Sequence, residues 1–217
     1  MQVCLIANPK GGAGKSTLAT NLAGLLAVRG LRDPGVRVML GDVDRQQSSR
    51  GWLQRRPGAL APIASWDLSD GPKAKPPKGT SHVVLDTPAG AHGDKLKGWV
   101  KLAHRVLVPV QASMFDLLAT QTFFEELAQL KAARGLPVAL VGMRIHERTR
   151  AAEEFRRFVA ALDLPLLTCL RDTQNYVQLA AHGMTLFDLP PGRVARDLAQ
   201  WAPIESWLGL RLPPTLD

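Results

Sequence analysis

Two cysteines and one tyrosine are all that this chain of 217 residues holds of those types, and aromatic residues amount to only 6%. Cys4 and Cys169 lie in separate apolar runs, too far apart in sequence for a CxxC pair. That argues against a disulfide scaffold and for two reduced core thiols in a cytosolic protein. No apolar run reaches the about 20 residues that a membrane-spanning helix needs. There is no internal repeat and no composition break that would mark a second domain. Met1 leads straight into a strand-like run, so no leader is expected, nor a helix-turn-helix module ahead of that strand. Acidic charge is also in deficit: 27 Lys and Arg against 19 Asp and Glu leave +8. The excess sits mainly in residues 45–105, which carry +7, whereas residues 140–217 balance to zero. A basic protein suits a polyanion or an anionic surface, although scattered solvated lysines account for the same number.

Apolar residues, by contrast, make up 46% of the chain, enough for one domain, 1–217, with a core that needs no staples. Strand-like runs at 3–7, 37–41, 61–65, 82–86, 105–110, 137–142 and 165–169 alternate with helical patterns at 15–29, 48–55, 94–103, 117–133, 149–162, 173–182 and 193–208. The alternation predicts an α/β fold: a doubly wound, mostly parallel sheet with helices on both faces. Several strands are continuous apolar runs, as strands covered on both faces should be. Residues 70–79, rich in proline and lysine, read as a loop.

The first strand runs into Lys10-Gly11-Gly12-Ala13-Gly14-Lys15-Ser16-Thr17 and then a helical pattern. Strand, glycine-rich loop and helix in that order hold a nucleoside triphosphate by its phosphates. The loop must turn its N–H groups inward through conformations that side chains obstruct. Lys15 reaches the β- and γ-phosphates, Ser16 offers a hydroxyl to Mg²⁺, and the helix directs its positive end at the anion. Two further acidic strand ends follow. Asp42 and Asp44 close the second strand, on one side of it by alternation, in Leu40-Gly-Asp-Val-Asp-Arg-Gln-Gln47. Asp86 closes the apolar run Val83-Val-Leu-Asp-Thr-Pro-Ala-Gly90, where a carboxylate can hold a water of Mg²⁺. Gly90 then offers a pivot for a switch loop.

With Lys10 placed before the glycine pair, the loop resembles the deviant Walker A motif of the ParA/MinD family of P-loop ATPases. The resemblance extends through nearly the whole chain and is strongest in residues 1–50 and 82–116. It implies ATP and Mg²⁺ as cofactors, with Gly11, Gly12, Ala13, Gly14, Lys15, Ser16 and Thr17 around the phosphates. Lys10 corresponds to the signature lysine that contacts nucleotide bound by a partner subunit, so that two ATP molecules are sandwiched in a homodimer. Asp44 corresponds to the aspartate that positions the attacking water, with Arg45 replacing the family's usual proline. Asp42 is then a ligand in the Mg²⁺ shell or a group that orders the loop, and Asp86 the Walker B carboxylate. Leu170 and Arg171 occupy the loop near the adenine, where the family's proline is missing. Residues 108–116 match the dimer and partner face. The two cysteines do not fit the iron–sulfur members of the superfamily.

The same resemblance implies a weakly active ATPase that binds DNA non-specifically as a dimer. A ParB-like or adaptor protein would stimulate hydrolysis, in a cycle that segregates or positions a plasmid, a chromosomal locus or a protein assembly. The protein would be cytoplasmic and nucleoid-associated in its ATP form. Arg171, Arg193 and Arg196 match the family's DNA-binding positions, and Arg50, Arg55 and Arg56 form a second candidate group. Two other readings stand beside this one. A MinD-like membrane anchor would use the stripe Val194, Leu198, Trp201 and Leu208, but Pro203 interrupts it and docking onto the protein body explains it better. An ATP-dependent ligase or kinase would need further acids or bases, and His82, His92, His104, His146 and His182 are scattered.

Overall fold

The computed structural model describes residues 1–210 except Arg45, Ser69, Asp70, Ala74, Lys75, Pro77 and Glu147. The proline replacement at Arg45 therefore lies outside the described residues, as do four residues of the loop expected at 70–79, in which Gly71–Lys73 form a 3-10 turn. Seven strands form one sheet: β1 Gln2–Ile6, β2 Val38–Asp42, β3 Ala64–Trp66, β4 His82–Asp86, β5 Arg105–Gln111, β6 Val138–Met143 and β7 Leu166–Leu170. Their order is β3-β2-β4-β1-β5-β6-β7, and every pairing is parallel. This is the doubly wound sheet expected from the alternating pattern.

Both faces of the central strands are covered, because their successive side chains point to opposite sides and both sets are apolar. In β1, Cys4 and Ile6 enter one core, while Val3 and Leu5 enter the other. The first core is closed by α1 Lys15–Gly30, α2 Ser48–Gln54 and the C-terminal helices, through Leu18, Leu22, Trp52, Val194 and Ile204. The second is closed by α3 Gly93–Val100, α4 Met114–Gln129 and α5 Arg150–Ala160, through Leu96, Trp99, Phe123 and Phe155. β1 is flanked by β4 and β5, so the chain order reverses around it. The crevice above its carboxyl end is where such sheets bind ligands.

Some boundaries differ from the sequence pattern for local reasons. β3 starts at Ala64 rather than at 61, beyond Pro62, which has no N–H to give a ladder. α4 begins three residues early, since Ser113 caps it by accepting the Asp116 N–H. It also stops at Gln129, where Leu130 turns extended, and 131–133 form a separate 3-10 turn. Thr149 and Thr173 cap α5 and α6 Gln174–Ala181 from outside. The helix expected over 193–208 is two helices, α7 Pro191–Ala199 and α8 Ala202–Trp207. Pro203 falls in the first turn of α8, where a missing N–H is harmless. Trp201, between the two, is fully buried and donates to the Tyr176 hydroxyl at 3.1 Å. The apolar stripe thus docks onto the body. No helix among the described residues is long and apolar enough to cross a membrane.

Candidate functional site

The glycine-rich loop leaves the end of β1 and is pinned from beneath. Asn8, 2% exposed, donates to Pro109 O at 2.8 Å and Thr120 Oγ1 at 3.2 Å, and accepts the Lys10 N–H at 2.8 Å. Gly12 and Gly14 adopt φ of +78° and +95°, the left-handed region that a side chain resists. At Gly14 a Cβ would also sit 2.8 Å from Met143 Cε. α1 follows with no side-chain cap, leaving its first N–H groups for an anion. Lys15 is buried and donates through Nζ to the Lys10 carbonyl at 2.8 Å. Burial lowers its pKa, while the charges of Asp86 and Asp44 pull it back up.

Those carboxylates come from adjacent strand ends. Asp42 and Asp86 are direct partners in the β2–β4 register. Asp86 is 1% exposed, and neither of its oxygens has a hydrogen-bond partner. Its pKa rises to about 7, chiefly through burial, with the nearby Asp42 charge adding to the rise and the Ser16 and Ser49 hydroxyls tempering it. Asp42 accepts the N–H of Asp44 at 2.9 Å and that of Arg50 at 3.0 Å, so it orders the loop into α2. Asp44 accepts the Gln46 N–H at 3.0 Å. The donors gathered here are hard oxygens, and an orphaned buried carboxylate faces the loop hydroxyl, a set that fits Mg²⁺. Among the described residues no cluster of three or more His, Cys, Asp or Glu could hold a metal without help. Mg²⁺ asks for no such cage, because it takes one or two carboxylates and completes its shell with phosphate and water.

Lys10 has its backbone fixed on both sides, by Asn8 and Lys15, while its Nζ lies 5.9 Å from the Phe115 ring centre. Phe115 is 75% exposed and adjoins Met114 and Leu118, at 58% and 54%, on the first turns of α4. Just before them Gln111 Nε2 donates to the Gly12 carbonyl at 2.7 Å. On the other side the Gly90 N–H donates to Pro9 O at 2.8 Å, tying the loop after β4 to the phosphate loop.

The family described as CobQ/CobB/MinD/ParA nucleotide binding domain matches residues 4–186 of this sequence. The chain belongs to that family. Within it, the chain is 29% identical over 200 residues to the maintenance of carboxysome distribution protein A of Halothiobacillus neapolitanus, spanning 88% of this chain and 90% of that one. Its counterpart from Gloeobacter kilaueensis is 34% identical over 122 residues, 54% of this chain and about half, 52%, of the relative. The ATP complex of a Cyanothece McdA variant superposes with a TM-score of 0.73 at 15% identity, covering 98% of both chains.

As a CobQ/CobB/MinD/ParA domain, the chain has a cavity of ≈270 Å³ beside the loop, bordered by Gly14, Thr17, Met143, Leu170, Arg171 and Tyr176. A larger hollow of ≈480 Å³, lined by Leu53, Pro57, Leu60 and Ile63, lies along α2 and touches no phosphate-loop residue. Leu170 is fully buried, and Arg171 donates from Nε to Asp197, which also accepts from Asn175 at 2.6 Å. The Arg171 guanidinium is therefore tied to the fold through its Nε, while its side chain remains 31% exposed. Arg193 and Arg196 are exposed on α7, and Arg50 and Arg55 are exposed around α2. Arg56 is a correction to the second group: its side chain is 5% exposed and paired with Asp188 at 2.8 Å, so it is closed to nucleic acid. Sequence reading missed Asn8, Gln111 and Ser49. Asn8 is signalled by a polar residue ending an apolar run, whereas Ser49 carries no sequence signal.

Proposed function

We propose that this protein is an ATPase of the ParA/MinD type that positions a cargo. Two copies close face to face around bound ATP, the dimer binds DNA without sequence preference, and a partner protein speeds a slow hydrolysis that releases it. The observation that carries this reading is the convergence on one phosphate loop of Lys15, of carboxylates from two adjacent strands, and of a second lysine with a fixed backbone whose Nζ sits near the exposed Phe115 ring.

In this reading the loop N–H groups and Lys15 hold the phosphates. Mg²⁺, when bound, neutralises phosphate charge, and Ser16, Asp86 and Asp42 are the residues that would hold it or its waters. Asp44 orients the attacking water. Lys10 adds its charge to the nucleotide of the other subunit, which couples turnover to assembly. The exposed Met114, Phe115 and Leu118 give the second copy an apolar surface to cover. Arg193 and Arg196, doubled in a dimer, supply weak phosphate contacts that reinforce one another. The kinship with carboxysome-distribution proteins supports a protein assembly as cargo over a plasmid or chromosomal locus, with a ParB-like or adaptor partner. A membrane-anchored cycle draws less support, because the α7–α8 stripe is packed inward, with Trp201 and Ile204 fully buried.

Sedimentation velocity with Mg-ATP tests the scheme. Asp44→Ala is expected to accumulate as a dimer, while Lys10→Ala binds ATP and fails to turn it over. A monomeric Asp44→Ala protein refutes the cycle.

A further inference from the structure

Ser49 is fully buried on the first turn of α2, and its hydroxyl has no hydrogen-bond partner. A serine in that position is unusual, because a buried polar group without a partner costs stability. The only other buried side-chain oxygens left in the same state among the described residues are the two of Asp86. The first turn of α2 is held against the end of β4, because Asp42, the register partner of Asp86, accepts the N–H of Arg50, the residue after Ser49, and Ser16 stands in the first turn of α1 at the phosphate loop. Hard oxygen donors from α1, α2 and β4 thus gather at this strand end, and those of Ser49 and Asp86 have no hydrogen-bond partner. Protein interiors leave such groups open where an ion or ordered water completes them.

We propose that Ser49 is a third protein donor of the divalent-cation site, beside Ser16 and Asp86, meeting the cation or one of its waters. The inference rests on the nucleotide reading above and extends it to α2. That helix starts directly after Asp42 and Asp44, and Asp42 fixes its Arg50 N–H. Cation occupancy would then pull on the same helix whose leading loop carries the hydrolysis candidate, so that metal and switch loop are set together.

Mn²⁺ binding in the presence of saturating ADP, followed by electron paramagnetic resonance, tests this with the full chain. Ser49→Ala is expected to lose about 10-fold in Mn²⁺ affinity, the usual scale for a supporting donor. Its ADP affinity in EDTA should stay within about twofold of the parent. Its nucleotide-free melting temperature should equal or exceed the parent's, since an unsatisfied hydroxyl has been removed. Parental Mn²⁺ affinity in Ser49→Ala overturns the assignment, and so does a drop in its nucleotide-free melting temperature, which would mark a structural hydroxyl. If the parent itself binds no Mn²⁺·ADP, the nucleotide reading falls together with the Ser49 assignment. Parental binding with an unaffected variant removes the Ser49 assignment alone.

Discussion

Asp86 illustrates how a single side chain can set a requirement for the whole site. Burial, with the neighbouring Asp42 charge adding to it and nearby hydroxyls only partly offsetting it, penalises its charged form and moves its pKa from 3.8 to about 7. The unfolded chain releases that proton near pH 4, whereas the nucleotide-free fold retains it until about neutrality. Proton binding to the native state therefore contributes stability that is complete below about pH 4 and is lost as the pH rises through 7. Asp86→Asn lacks this dependence. Denaturant melts of the nucleotide-free protein at pH 5 and pH 8 should show the parent losing, relative to the variant, on the order of a few kcal/mol, because each tenfold change in proton affinity is worth about 1.4 kcal/mol. Parallel pH profiles for the two proteins would contradict this linkage. Lys15 is displaced in the opposite sense by the same cause, and the carboxylates beside it act to keep it charged.

At the scale of elements, α2 is fastened to the segment before α7 by a closed polar network. Arg56 pairs with Asp188 and also donates to the Ala61 and Gly183 carbonyls, and Trp52 Nε1 donates to Met184 O at 3.3 Å. Arg56→Ala strands a carboxylate that is 1% exposed, and removing one partner of such a pair costs about 3–5 kcal/mol. Thermal or urea unfolding will register that loss, while Arg55→Ala, an exposed neighbour, should change little. α1 approaches the same segment closely: a Cβ on Gly24 would lie 2.4 Å from Thr185 Oγ1. The elements themselves were largely legible in the sequence. The seven runs became seven parallel strands, most of them too continuous in apolar residues to face water on either side, with the edge strand β3 the exception. Their ends were less legible, since they depend on caps such as Ser113 and on proline positions such as Pro62. The split between α7 and α8 was foreshadowed by Pro203, but the break itself reflects the burial of Trp201 against Tyr176 and Phe187. The loop residues and acidic strand ends of the site could be read from motif order. The roles of Asn8 and Gln111 could not, because their contacts join segments about 100 residues apart, even though Asn8 stands out as a polar residue ending an apolar run; Ser49 could not, because it is marked only by a missing partner.

For the molecule as a whole, charge is the property that sequence left unlocalised. Arg56 is withdrawn from the surface and Arg171 is held to Asp197 through its Nε, while Arg193 and Arg196 stay exposed, as do Lys95, Lys97 and Lys101 around α3. If α7 carries the DNA contacts, the double variant Arg193→Ala, Arg196→Ala will bind duplexes of unrelated sequence more weakly by a similar factor. Fluorescence anisotropy across a salt series should then give a slope of log affinity shallower by about 0.9 for each phosphate no longer neutralised. An unchanged slope would move the surface elsewhere on the protein. The stretch from Gln111 to Leu118 has a consequence of its own. One end of it braces the glycine loop from behind through the Gly12 carbonyl, and the other presents three bare apolar side chains to the outside. Whatever comes to rest on those side chains leans on the cradle itself, so occupancy of the outer wall and the shape of the anion nest cannot vary independently.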